Sequence, residues 1–341
     1  MILDSHHHLW RFDPARLPWI SEAMPALRQD YGIADLEAAL AGTGVDRTIL
    51  VHAQQRIDET EWMLGLAAAS ARIAGVVGWV PLVAPDLEDT LSWLTADGRL
   101  RGVRHIVHDE PDDDYLLRDD VNRGVARLRR HGLVYDVLIF AKHLPQAIVF
   151  VDRHPEQPFV VDHVAKPTIR PGHFDTRWAE GLRAIAERPH VSCKLSGLVT
   201  EVRDKAGDSG WTPGLLQPYV DVALEAFGPS RLMFGTDWPV CRLQCEYADW
   251  VAAVRGFVNP LSSDEQAAIM GGTAARVYGV LCSKSSSSNL AASRCATWIR
   301  RVPPRARPSS ASTASASAGP TCTPTPGGSR SSRIRACWAT S

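Results

Sequence analysis

Over its first 280 residues the chain alternates short apolar, β-branched runs with longer stretches of helical periodicity. The runs are Ile2–His6, Arg47–Val51, Ala74–Val80, Gly102–Val107, Leu133–Ile139, Phe159–Asp162, His190–Leu195 and Arg231–Gly235. Between them lie helical patterns at Ile33–Gly42, Asp58–Ala71, Leu87–Ala96, Asp119–Gly132, His143–His154, Arg177–Arg188 and Pro213–Phe227, followed by Tyr247–Val258 and Ser263–Tyr278. Strand and helix in strict alternation imply right-handed βαβ units and a parallel sheet. Eight such units fit a (β/α)8 TIM-like barrel. An open doubly wound sheet would carry a Gly-rich turn after its first strand; here that turn is His-rich.

The polar residues fall where a barrel gathers its strand ends. His6 and His8 lie at the end of the first run. Alternation along a strand points them one way and His7 the other. Gln54 and Gln55 follow the second run; Arg104, His105 and His108 lie on or after the fourth. Asp136 sits in the fifth, His163 ends the sixth, Lys194 lies on the seventh and Asp237 follows the eighth. A polar group inside an apolar strand is costly unless it is paired or functional. Any one of these has a structural explanation; their convergence points to a site. Two imidazoles and a distant carboxylate can hold a divalent metal or an attacking water.

Composition bounds the class. With 341 residues, 45% of them hydrophobic, the chain can bury a large core. It has no run of 18 apolar residues and no basic segment leading into an apolar stretch, so no membrane span and a cytoplasmic location are expected. From Leu281 to Ser341 there are nine basic residues and no acidic one, which leaves −10 for the remainder of a chain of net charge −1. An acidic body argues against nucleic acid as a partner. The seven cysteines form no Cys-x-x-Cys pair and are expected to be ordinary thiols.

Several segments together resemble the amidohydrolase superfamily, and within it the branch of sugar-lactone hydrolases that includes L-fuconolactonases, L-rhamnonolactonases and 2-pyrone-4,6-dicarboxylate lactonases. They are Asp4-Ser5-His6-His7-His8-Leu9-Trp10, Gly102-Val103-Arg104-His105, Asp109-Glu110-Pro111-Asp112-Asp113 and Asp162-His163-Val164-Ala165-Lys166-Pro167. Cys193-Lys194-Leu195-Ser196-Gly197-Leu198, Phe234-Gly235-Thr236-Asp237-Trp238-Pro239-Val240 and the closing Gly271-Gly272-Thr273-Ala274-Ala275-Arg276-Val277-Tyr278-Gly279 complete the set. The resemblance spans residues 2–280. It implies a distorted barrel, hydrolysis at a carbonyl and Asp237 as general base. A lactone carbonyl needs a water deprotonated as it attacks and donors for the developing oxyanion. Arg104, His163 and Lys194 are the donors expected.

His105, Gln54 and Glu110 are expected to read substrate hydroxyls, and Trp10 and Trp238, with Trp19, Trp79 and Trp211, to offer flat faces to a sugar ring. A dicarboxylate would need several converging arginines. Only Arg104 is placed with them, which favours a neutral polyhydroxy lactone. His6, His8, His163 and Asp237 could bind one ion, zinc foremost. Many superfamily members carry a further His where this chain has Cys193-Lys194-Leu195-Ser196, so a binuclear site is not expected. The branch also contains members that work without metal, and that alternative stays open. So do other carbonyl chemistries of the superfamily, such as amide hydrolysis or decarboxylation, and a barrel that binds sugar acids without turnover. A homo-oligomer is compatible with the sequence. Thr273 stands where the family motif has Asn, and only a small packing effect is expected.

After Val280 the composition shifts to Ser, Ala, Pro, Thr and Arg, and hydrophobic periodicity is lost. Such a segment cannot bury enough surface to offset its ordering entropy. The domain boundary is therefore set between 1–280 and a basic, low-complexity, disordered tail at 281–341. The tail reads either as an interaction arm or, better, as an out-of-frame translation of GC-rich DNA.

Overall fold

The computed structural model describes residues 1–202 and 210–280; the tail expected beyond 280 lies outside the described residues. Eight parallel strands run in sequence order: β1 (Leu3–His7), β2 (Arg47–Val51), β3 (Ile73–Gly78), β4 (Leu100–Ile106), β5 (Val134–Leu138), β6 (Phe159–Val161), β7 (Val191–Leu195) and β8 (Leu232–Phe234). Just past the last strand, Asp237 N donates to His6 O (2.7 Å) and His8 N to Trp238 O (2.6 Å), bringing the two edges together. The expected TIM barrel is thus present. Its strands are buried on both faces, which is why they read as near-continuous apolar runs.

The surrounding helices are α1 (Ile33–Leu40), α2 (Ile57–Ala69), α3 (Leu87–Leu94), α4 (Asp119–Leu128), α5 (Leu144–Asp152), α6 (Thr176–Ala186), α7 (Pro213–Phe227) and α8 (Tyr247–Val258). Most match the periodicity to within a turn. Their buried faces, such as Leu87, Leu91 and Leu94 of α3, recur at helical spacing. No described helix is long and apolar enough to cross a membrane.

The last expected helix, Ser263–Tyr278, is a correction. It breaks into α9 (Ser263–Ala267), a wider turn at Ala268–Gly272, and α10 (Thr273–Val277). A Cβ on Gly271 would lie 2.6 Å from Met1 O and 2.9 Å from Leu3 N. The break therefore lets the backbone approach the start of β1, and only glycine permits that distance. Thr273 Oγ1 donates to Pro229 O (2.9 Å), so this side chain ties α10 to the loop before β8.

Helix α10 also reaches the barrel interior. The hydroxyl of Tyr278 lies 2.9 and 2.8 Å from the two carboxylate oxygens of the fully buried Asp136. Removing a donor from a buried carboxylate costs about 1–3 kcal/mol. Tyr278→Phe is expected to lower stability by that amount, as a fall in urea midpoint at unchanged slope. An unchanged midpoint would mean that Asp136 does not depend on this hydroxyl.

Candidate active site

The first, fourth, fifth and seventh strands, and the turns after the sixth and eighth, deliver polar residues to the mouth of the barrel or to the layer beneath it. At the end of β1, His6 and the following His8 share a face, their Nε2 atoms 3.2 Å apart, while His7 turns away into the packing. His8 Nδ1 bonds Val51 O at 2.7 Å, which fixes the ring and leaves Nε2 for the site. Asp237 Oδ1 lies 3.2 Å from His8 Nε2, 3.6 Å from His6 Nε2 and 3.8 Å from His163 Nε2. Three imidazoles thus surround one carboxylate oxygen.

Beneath them is a buried charge layer. Arg104 Nη1 pairs with Asp162 Oδ2 (3.0 Å) and also lies 3.2 Å from His6 Nε2. Arg104 Nε donates to His52 Nε2 (3.2 Å), and Nη2 to His52 O. Lys194 Nζ contacts Asp136 Oδ2, Asp162 Oδ1 (3.0 Å) and His6 Nδ1 (3.1 Å). Two cations and two carboxylates therefore compensate each other where neither pair could be buried alone.

The protonation states follow. Burial pushes the Asp162 carboxyl up, but Lys194, His6 and Arg104 outweigh it and hold the group well below the carboxylate range. Burial and Lys194 drive His6 well below its ordinary value, so the ring is neutral. His163 falls to about 4, burial outweighing the pull of Asp237 and Asp162. Burial raises Asp237, but His163, His8 and Lys166 offset it, leaving the carboxyl below its usual range and ionised at neutral pH. The chemistry available is a carboxylate base beside the neutral imidazoles of His6 and His163, with a guanidinium alongside.

A cavity of about 140 Å³ opens onto this carboxylate, lined by His8, Trp19, Ala53, Arg104, Ile106, His108, Asp109, Leu138, His163, Lys166, Asp237 and Val240. Of the expected catalytic residues, Asp237, His163 and Arg104 reach it. Lys194, fully buried, lies in the layer below and touches His6 instead. The expected substrate readers are elsewhere among the described residues. His105 pairs with Glu110 (2.6 Å) and stacks on Tyr115. Gln54 lines a separate cavity with Arg11, Arg16 and Glu59. Trp10 packs edge-on against Trp19 and Tyr31, and Trp238 against Tyr31 and Tyr247. The indole that does reach the cavity is Trp19.

Sequence reasoning passed over several residues. Asp4 is buried in β1, accepting from His6 N, Thr236 N, Thr236 Oγ1 (2.6 Å) and Tyr247 OH (2.9 Å). It fixes the first strand to the turn that carries Asp237. Its only signal was a carboxylate inside an apolar run. His52, which orients Arg104, gave the same weak signal. In the segment His163–Lys166, His163 was expected as a donor, but Lys166 was recognised only as part of a motif. All four residues of the segment have positive φ (52°, 47°, 59° and 48°), a left-handed turn without a glycine. L-residues resist this by roughly 1–2 kcal/mol each. The turn directs both His163 and Lys166 into the cavity. Ser196 Oγ then holds His163 Nδ1 at 2.9 Å. Gly197 leaves room for the ring, since a Cβ there would stand 2.6 Å from Nδ1.

The donor spacing can be compared with a metal site. His6 Nε2, His8 Nε2 and Asp237 Oδ1 are separated by 3.2, 3.2 and 3.6 Å. Donors around one tetrahedral zinc stand about 3.3 Å apart. The three fit a single divalent ion. A second group, His6, Asp162 and His163, shares His6 with the first, and its carboxylate already lies between Arg104 and Lys194.

A parallel barrel with paired strand-one imidazoles and a strand-eight carboxylate at its mouth defines a hydrolase centre. The amidohydrolase family model matches residues 3–280, and the chain belongs to that family. It is 42% identical to an L-fucono-1,5-lactonase of Burkholderia multivorans, over 82% of this chain and 96% of that protein. It is 34% identical to an L-fucono-1,5-lactonase of Burkholderia ambifaria, over 82% and 95% respectively. A crystal structure of a Burkholderia multivorans amidohydrolase with bound zinc superposes with a TM-score of 0.77 at 41% identity, covering 82% of this chain and all of that one.

Proposed function

We propose that this enzyme hydrolyses a sugar lactone, an aldono-1,5-lactone such as L-fuconolactone, to the aldonic acid, with Asp237 as general base. The observation that carries the reading is the ionised Asp237 carboxylate, at the floor of a small cavity and among three imidazoles. The Burkholderia multivorans and Burkholderia ambifaria L-fucono-1,5-lactonases, matched over nearly their whole length, support the substrate class. Asp237 would take a proton from water as the oxygen attacks the lactone carbonyl, and that proton would then go to the ring oxygen as the C–O bond breaks. Arg104 and His163 face the same cavity and are placed to stabilise the oxyanion. Among the described lining residues Arg104 is the only arginine, and its donors are largely engaged with Asp162 and His52. That favours a neutral polyhydroxy lactone over a pyrone dicarboxylate.

A divalent ion, zinc foremost, would be held by His6, His8 and Asp237. When bound it would supply Lewis acidity and a more acidic water. Because both candidate groups share His6, elemental analysis of purified protein is expected to give no more than one ion per chain, and His8→Ala to bring it close to zero. Two ions per chain would contradict this.

The reading is tested by a pH-indicator screen of purified protein against a panel of aldonolactones, with pyrone-dicarboxylate and amide controls. Acid release from one or more aldonolactones is the expected result. Turnover confined to a control would transfer the protein to a different carbonyl chemistry.

A further inference from the structure

Lactone hydrolysis creates a charge problem that the residues assigned so far do not solve. The neutral ester carbon becomes a carboxylate within reach of the anionic Asp237. The cations of the buried layer are committed: Lys194 to Asp136 and Asp162, Arg104 to Asp162 and His52. Lys166 differs. Its side chain lines the cavity, is 19% exposed, and pairs at a long 3.8 Å with Glu201 Oε1. Its ammonium sits 5.5 Å over the Phe140 ring. It is close enough to Asp237, His163, His108 and Asp109 to influence the charge of each. The left-handed turn at 163–166 is what directs it there. Strained backbone is retained where surrounding structure enforces it, and it concentrates at working sites.

We propose that Lys166 is a catalytic residue that binds the developing and product carboxylate of the aldonate. This rests on the lactonase reading and adds to it the group that offsets the product's charge. His108 and Asp109, which line the same cavity, are placed to read the neighbouring hydroxyl groups.

The test compares two ligands of one shape: the aldonate derived from the best lactone and the corresponding neutral alditol. Inhibition constants and calorimetric affinities are measured for the wild type and for Lys166→Asn, Lys166→Met and Lys166→Arg. Asn tolerates positive φ, Met keeps an aliphatic stem against Phe140, and Arg keeps the charge. In the wild type the aldonate should bind more tightly than the alditol. Lys166→Asn and Lys166→Met should weaken aldonate binding about 10- to 100-fold, the scale of a hydrogen bond to a charged group. Alditol affinity should stay within a few-fold, and Lys166→Arg should restore part of the loss. If folded Asn and Met variants keep the wild-type preference for aldonate, or lose both ligands equally, the proposal fails. If no lactone is turned over, the function reading fails, and the calorimetry with L-fuconate and L-fucitol still decides the role of Lys166. Absence of aldonate binding to the wild type would overturn it.

Discussion

Asp237→Asn is expected to lower kcat/KM toward the preferred lactone by about 10² to 10⁴, the range of general base catalysis, with the fold retained. Asn is nearly isosteric and tolerates the positive φ of 58° at this position. The backbone bonds from Asp237 N to His6 O and from Cys241 N to Asp237 O are untouched. What disappears is the carboxylate oxygen set among the three imidazoles. Steady-state kinetics with circular dichroism would check this. Turnover within a few-fold of the wild type, in a folded variant, would remove Asp237 from the role of base.

Lys194→Met should be the most damaging single change to stability. The ammonium lies between Asp136 and Asp162, all three fully buried. Breaking a buried ion pair from one side costs about 3–5 kcal/mol, because the remaining charge is left uncompensated. Arg104 still covers Asp162, so the exposed liability is mainly Asp136. Adding Asp136→Asn to Lys194→Met should therefore recover part of the loss, since it removes the orphaned anion. Urea unfolding of the single and double variants measures this. A Lys194→Met protein as stable as the wild type would show that the layer is not held by these charges. Activity should fall as well, because Lys194 Nζ supports His6 Nδ1.

The barrel was legible because parallel strands covered on both faces must be apolar runs, and the helices between them must show a 3.6-residue stripe. Arg47–Val51, Pro213–Phe227 and Tyr247–Val258 agree residue for residue. The break at Gly271 was not legible, because it is set by the backbone of Met1–Leu3, far away in sequence. The site was partly legible for the same kind of reason. A His-x-His at a strand end and a carboxylate after the last strand are visible in one dimension. Trp10 and Trp238 were expected at the cavity from residue type alone, yet type cannot tell a ring packed edge-on in an aromatic cluster from one lining a wall. The direction of Lys166 depends on four successive positive φ angles without a glycine to announce them. Asp4 is legible only once Thr236 and Tyr247 are known to surround it.

The meeting of the first and last strands has a consequence for synthesis. His6 and His8 leave the ribosome first, while Asp237, Thr236 and Tyr247, which complete and brace the same cluster, follow more than 220 residues later. Until then Asp4 has neither of those hydroxyl partners, and β1 lacks its neighbour across the seam. A nascent chain of seven strands carries paired imidazoles without a base and two open sheet edges, templates for pairing with other chains. Chemistry and closure of the sheet therefore arrive together, in the same few residues that follow the eighth strand.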